Sequence, residues 1–190
     1  MNNIAIFASG SGSNAENIIG HFSATENAKV TLILSNNRNA FVLKRAERLN
    51  IKSIVFDRND FYRSEKILDV LQQEKITFIV LAGFLWLVPA GIIGKYAGKI
   101  INIHPALLPL YGGRGMYGDA VHKAVIENRE KESGITIHLV NGEYDSGDII
   151  FQARCPVEPH DDYASLADKI HTLEYMHFPR VIEDMVSRLP

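Results

Sequence analysis

Asn102 and His104 stand two positions apart in the otherwise apolar run Ile100-Ile101-Asn102-Ile103-His104, and Pro105 follows at once. On a β-strand alternate side chains leave the same face, so the carboxamide and the imidazole are presented together. Proline then ends the ladder, having no N–H to give and restricting the residue before it. A carboxamide offers N–H donors at any pH, and an imidazole offers a donor or an acceptor. That pair suits a carbonyl oxygen that turns negative, or a proton that must move. A buried Asn or His is more often a satisfied core group than a catalyst. The shared face, and the stiff exit through Pro105 and Pro109, favour a site.

A carboxylate comes from the loop Asn141-Gly142-Glu143-Tyr144-Asp145-Ser146-Gly147-Asp148. Most Asp residues among such turn-formers serve the turn. In the functional reading Asp145 faces the pair and favours the imidazolium of His104, raising its pKa. Spacing alone does not bring Asp145 there.

A second signal is Gly10-Ser11-Gly12-Ser13-Asn14, between a first strand and a first helix. Glycines let the backbone approach a ligand, and free N–H groups at a helix start favour an anion. Ser13 and Asn14 are also good capping residues. The dinucleotide fingerprint wants a further glycine where Ala15 stands, and no Gly-Lys-Ser/Thr follows. The loop therefore fits a phosphate monoester better than a nicotinamide or flavin dinucleotide or ATP.

The elements that must position these groups alternate. Strands are expected over 4–8, 30–34, 53–56, 78–82, 99–103, 135–140 and 148–155. Helices are expected over 15–22, 40–49, 61–74, from Pro89 onward, over 116–128, and over 163–188 with a kink or break at Pro179. Continuous apolar strands alternating with amphipathic helices predict a Rossmann-like three-layer α/β sandwich. Its sheet should be mostly parallel, with about seven strands and helices on both faces. In such sheets ligands bind where strands end.

The chain has 190 residues, 46% of them hydrophobic, which suits a single domain over 1–190. Twenty basic against 22 acidic residues leave −2, so no bulk charge recruits nucleic acid or an anionic membrane. One cysteine, Cys155, excludes an internal disulfide and a cysteine-rich metal site. His21, His122, His160, His171 and His177 lack metal-ligand spacing, and His138 reads as core or as a neighbour of the site; no metal is expected. No targeting or membrane-spanning stretch is read, so a cytoplasmic protein is expected.

Together, Phe7-Ala8-Ser9-Gly10-Ser11-Gly12-Ser13-Asn14, Leu81-Ala82-Gly83-Phe84, Ile101-Asn102-Ile103-His104-Pro105-Ala106-Leu107-Leu108-Pro109 and Asp145-Ser146-Gly147 resemble the folate-dependent formyltransferases. The branch acting on phosphoribosylglycinamide in purine (IMP) biosynthesis is the most similar. The resemblance covers nearly the whole chain and implies the formyltransferase fold. It implies transfer of a formyl group from 10-formyltetrahydrofolate as co-substrate, with Asn102, His104 and Asp145 as the catalytic trio. It further implies Gly12, Ser13 and Asn14 on the substrate phosphate, and Arg58 and Glu174 on the substrate. The folate is implied to lie against Leu85, Trp86, Leu87 and Val88 and against Val140, Asn141, Gly142, Glu143 and Tyr144. Trp86 stands where many members have arginine, and residues 112–118 replace a proline-glycine run with a glycine-rich segment that reads as a mobile flap. The partners implied are small molecules, with the chain a monomer or homodimer. Two rival readings are a formyltransferase acting on an amino-sugar nucleotide and a non-catalytic folate- or nucleotide-binding module of the same fold.

Overall fold

The computed structural model describes residues 1–189. Within them, β1 (Asn2–Phe7), β2 (Ala28–Ser35), β3 (Lys52–Val55), β4 (Phe78–Leu81), β5 (Ile100–His104), β6 (Glu132–Leu139) and β7 (Ile149–Pro156) form one sheet. Their order is β3-β2-β1-β4-β5-β6-β7. The pairings from β3 to β5 are parallel, while β6 and β7 run antiparallel. Seven strands, mostly parallel, match the expectation.

Side-chain parity decides what each face of the sheet meets. Ile4 and Ile6 of β1, Phe78 and Val80 of β4, and Ile101 and Ile103 of β5 all pack to one side. There they meet α1 (Ser13–Phe22), α2 (Phe41–Arg48), α6 (Asp119–Glu127) and α7 (Tyr163–Ser187). Ala5, Phe7, Ile79, Leu81 and Ile100 pack to the other. Their partners are α3 (Arg58–Tyr62), α4 (Lys66–Gln73) and α5 (Ala90–Lys95). Asn102 and His104 share the parity of Ile100, so both leave the second face at the point where β5 ends.

Two helical expectations need correction. The stretch 61–74 is two helices, because α3 starts early and stops early. Asp57 caps it by accepting the Asp60 N–H at 2.8 Å. Ser64 then bonds the Asp60 carbonyl at 3.1 Å and so competes with the helical ladder. The helix expected from 116 begins only at Asp119, after Gly118 with φ 51°.

Nor does Pro179 divide the last helix, which runs through it for 25 residues. Proline leaves the carbonyl four residues earlier without its helical donor. That carbonyl belongs to Tyr175, and Asn17 Nδ2 of α1 donates to it at 2.9 Å. A side chain from a neighbouring helix thus replaces the missing bond.

Asn17→Ala is expected to lower stability by about 0.5–1.5 kcal/mol in urea unfolding. In a Pro179→Ala background, where residue 179 supplies the N–H itself, the same change should cost almost nothing. Equal costs in both backgrounds would show that the two features are unconnected.

Candidate active site

The strand order reverses at β1, which has β2 on one side and β4 on the other. Loops leaving β1 and β4 therefore diverge and open a crevice. Ser9 stitches its two lips. Its N–H bonds the Gly83 carbonyl at 3.0 Å, and its Oγ accepts the Leu85 N–H at 3.1 Å. The crevice holds about 890 Å³, toward the upper end of small-molecule clefts. Residues 9–14, Arg58, Trp86, Asn102, His104, Asp145 and Glu174 all line it.

The glycine loop presents donors because its acceptors are tied elsewhere. The Gly10 carbonyl takes the Val42 N–H at 3.1 Å, and the Ser11 carbonyl takes Arg45 Nε at 2.9 Å. Gly12, at φ 74°, is the residue before α1, and no side chain caps that helix. Capping by Ser13 or Asn14 is thus not what these residues do. Among the described residues, the N–H groups of Gly12, Ser13 and Asn14 have no protein acceptor. A Cβ on Gly12 would come within 2.4 Å of Val42 Cγ2, so only glycine fits. Asn14 instead reaches across to α7, where its Nδ2 bonds Glu174 Oε2 at 2.9 Å. His171 Nδ1 meets the same oxygen at 3.0 Å.

Asn102, His104 and Asp145 come together. Asn102 Nδ2 lies 3.4 Å from Asp145 Oδ1, and His104 Nδ1 lies 3.5 Å from Asp145 Oδ2. The register that pairs Asn102 with His138 of β6 puts a second ring beside the amide. His138 Nδ1 faces the Leu139 carbonyl at 2.8 Å, so that nitrogen carries the hydrogen. Nε2 is left to accept from Asn102 Nδ2 at 3.0 Å, which fixes how the carboxamide is turned. The turn after β5 is held by Thr136, whose Oγ donates to the Ala106 carbonyl at 2.7 Å and accepts the Leu108 N–H at 3.0 Å. Asp145, itself at φ 51°, accepts the Gly113 N–H at 2.9 Å. Behind it Gly147 packs against the Leu139 carbonyl, where a Cβ would lie at 1.7 Å.

The charge state of His104 departs from the expectation. Burial pushes its pKa below the ordinary 6.5, against the upward pull of Asp145 and of the Tyr111 carbonyl. Asp145 behaves as a carboxylate should in such company. Burial alone would raise it, yet the His138 ring, His104 and the Gly113 N–H outweigh burial and hold it below 3.8. The two groups do not shift as an ion pair would. With 3% of its surface exposed, the ring pays more for desolvation than one carboxylate at 3.5 Å returns. The resting imidazole is therefore neutral, with Nε2–H directed at Tyr111 O, 2.7 Å away.

Known proteins resemble this chain in sequence and in fold. The family described as formyl transferase matches residues 2–182. The chain belongs to that family. A phosphoribosylglycinamide formyltransferase of Haemophilus influenzae is 37% identical, over 96% of this chain and 86% of its own. The chloroplastic one of Arabidopsis thaliana is 36% identical over 94% of this chain, which spans 63% of that plant protein's length. The crystal structure of the enzyme of that name from Anaplasma phagocytophilum superposes with a TM-score of 0.89 at 31% identity, covering 98% of this chain and 87% of that one.

In this formyl transferase the remaining candidate residues divide. From the two runs implied to hold folate, Leu85, Trp86 and Tyr144 line the cleft. Leu87, Val88, Val140, Asn141, Gly142 and Glu143 do not line it: Val88 is buried in the core with Val140 packed against it, and residues 141–143 are exposed. Arg58 lies over the Trp86 ring, 4.8 Å from its centroid, and Tyr62 flanks the same ring at 5.9 Å. The segment expected to be a flap lines the cleft through residues 113–118 and is tied to Asp145 at Gly113. Sequence reading assigned no role to Ser9, Tyr62, Tyr111, His122 or His171. Only His171 carried a signal, one helical turn before Glu174 on the same face.

Because folded His104 resists a proton that the unfolded chain accepts, stability falls as pH drops through 6.5. His122, also held low by burial, acts in the same direction, while His171, raised by its bond to Glu174, opposes both. Urea unfolding of His104→Asn between about pH 7.5 and 5 should therefore show a shallower loss than the parent. Parallel curves would contradict a buried neutral His104.

Proposed function

We propose that the chain is a one-domain enzyme, spanning residues 1–190, that moves the formyl group of 10-formyltetrahydrofolate to the amine of 5-phosphoribosylglycinamide. The products are formylglycinamide ribonucleotide and tetrahydrofolate, and the step belongs to de novo purine (IMP) biosynthesis. The observation that carries this reading is the meeting of Asn102, His104 and Asp145 beside uncommitted N–H groups at the start of α1, in one cleft. The relatives named phosphoribosylglycinamide formyltransferase support the substrate assignment.

The phosphate suits Gly12, Ser13 and Asn14, where backbone donors meet the positive end of the helix. Glu174 offers an acceptor for the sugar or glycinamide. Trp86, with Arg58 on its face, suits the flat and anionic parts of the folate. The trio then handles the reacting atoms. As the amine attacks the formyl carbon, a C–N bond forms and the carbonyl oxygen turns negative. The second Asn102 N–H, only weakly engaged with Asp145 at 3.4 Å, is available to that oxygen. His104, neutral at rest, takes the proton the amine must lose, and Asp145 favours the resulting imidazolium. The proton then passes to the folate nitrogen as the second C–N bond breaks. Nothing in this route needs a metal. The single thiol, Cys155, suits a cytoplasmic setting.

Retention of the trio disfavours a non-catalytic module, which would need none of it, and the phosphate loop disfavours an amino-sugar nucleotide. Absorbance assays with 10-formyl-5,8-dideazafolate test this directly. Turnover is expected with phosphoribosylglycinamide and not with amino-sugar nucleotides or water. Asn102→Ala and His104→Ala should each lower kcat by at least about a hundredfold in folded protein. Asp145→Asn should lose about as much and move the acid limb of the pH–rate profile to lower pH, since the carboxylate raises His104. Near-normal kcat in Asn102→Ala would remove the oxyanion role, and an unmoved limb would remove Asp145 from the proton transfer.

A further inference from the structure

The proposed role of His104, on which this inference rests, requires the ring to keep one tautomer. Its tightest contact is a backbone carbonyl, that of Tyr111 at 2.7 Å from Nε2. A carbonyl only accepts, so it holds the hydrogen on Nε2 and leaves Nδ1 bare toward Asp145. The carbonyl is aimed by an unusual backbone. Tyr111 sits at φ 57°, in the left-handed region that a bulky residue adopts only when its surroundings hold it there.

Those surroundings are visible. The Tyr111 hydroxyl donates to Glu130 Oε1 at 2.6 Å and accepts from Asn128 Nδ2 at 3.0 Å. Both partners lie just past the C-terminal end of α6, where the Glu130 N–H closes back on the Val125 carbonyl at 3.2 Å. The ring packs against the core between these ends. On the other side Gly112 sits so close to Leu108 and Asp145 that a Cβ there would lie 2.5 Å and 3.3 Å from them. The backbone at 111 is thus gripped from α6 at one end and pressed toward Asp145 at the other. Glu130 and Asn128 do not line the cleft.

We propose that Tyr111 is a positioning residue: pinned by Glu130 and Asn128, it holds its own carbonyl on His104 Nε2 and so selects the ring nitrogen that faces Asp145 and the substrate. The hydroxyl acts on the chemistry without touching it. The C-terminal end of α6 thereby becomes part of the support of the active site.

Three full-length variants test this. Tyr111→Phe removes the hydroxyl and keeps the ring, Glu130→Ala removes the acceptor, and Glu130→Gln keeps an acceptor oxygen. Tyr111→Phe and Glu130→Ala should lower kcat about tenfold or more while KM changes less than about twofold, and Glu130→Gln should stay within about twofold of the parent. The ¹⁵N resonances of the His104 ring should show one Nε2–H tautomer in the parent and in Glu130→Gln, and a tautomer mixture in the other two. Asp145, His138, Glu174 and His122 also bear on the charge of this ring and are unchanged in all three. Loss of the carbonyl contact, which raises His104, should therefore move the acid limb of kcat/KM to lower pH. Parent-like tautomer populations in Tyr111→Phe overturn the proposal, whether or not kcat falls, because a fall without them reports only a loosened fold. His104→Ala, measured alongside, keeps the two ideas apart. Should it remain active, the catalytic reading of His104 is lost, and the ring resonances of Tyr111→Phe still decide the positioning claim.

Discussion

One half-buried carboxylate organises the site. Asp145 sits beside two imidazoles and an amide, and an ionised carboxyl withdrawn from water costs several kcal/mol unless donors surround it. Meeting that demand places much of the surrounding chain. The Gly113 N–H must come to Oδ2, which pins the start of the glycine-rich segment. Asn102 Nδ2 must reach the same group from β5, while the rings of His104 and His138 stand beside it at 3.5 and 3.6 Å. The loop carrying Asp145 must fold back tightly, which is why Gly147 lies against the Leu139 carbonyl with no room for a side chain. Each of these contacts restrains a different element, and together they close one end of the cleft.

The sheet makes that meeting geometrically available. β1, β4 and β5 end side by side because they are parallel neighbours in the sheet. The antiparallel β6 then lays His138 opposite Asn102. The alternation of side chains that buries Ile101 and Ile103 under α6 and α7 also forces Asn102 and His104 to the other face together. Packing of the core and presentation of the polar pair are one event. Ser9 does at the switch point what Thr136 does after β5, giving a loop's backbone groups side-chain partners where the ladder stops.

The histidine illustrates how magnitudes decide a role. A carboxylate 3.5 Å away invites the assignment of a resting imidazolium, yet burial outweighs it. In the proposed route a neutral ring is the better starting point, since it takes a proton there and then releases it.

Much of this was legible in the sequence. The continuous apolar strands and the spacing of helices determined the sheet-and-two-layers architecture, since burial on both faces demands such strands. The motif around Asn102 and His104 determined which face the pair would share, and the glycine loop determined where free backbone donors would lie. Three matters were decided only by the tertiary structure. Asp145 and Asn102 are 43 positions apart, and no local periodicity predicts that a loop between antiparallel strands returns to the end of a parallel one. The charge of His104 depends on how much water the assembled chain removes, which no neighbour in sequence reports. And Pro179, which reads as a helix breaker, sits inside an unbroken helix because Asn17, from a helix at the opposite end of the chain, satisfies the carbonyl it abandons. Local residue types set what each segment can do, and long-range hydrogen bonds and burial select among those options.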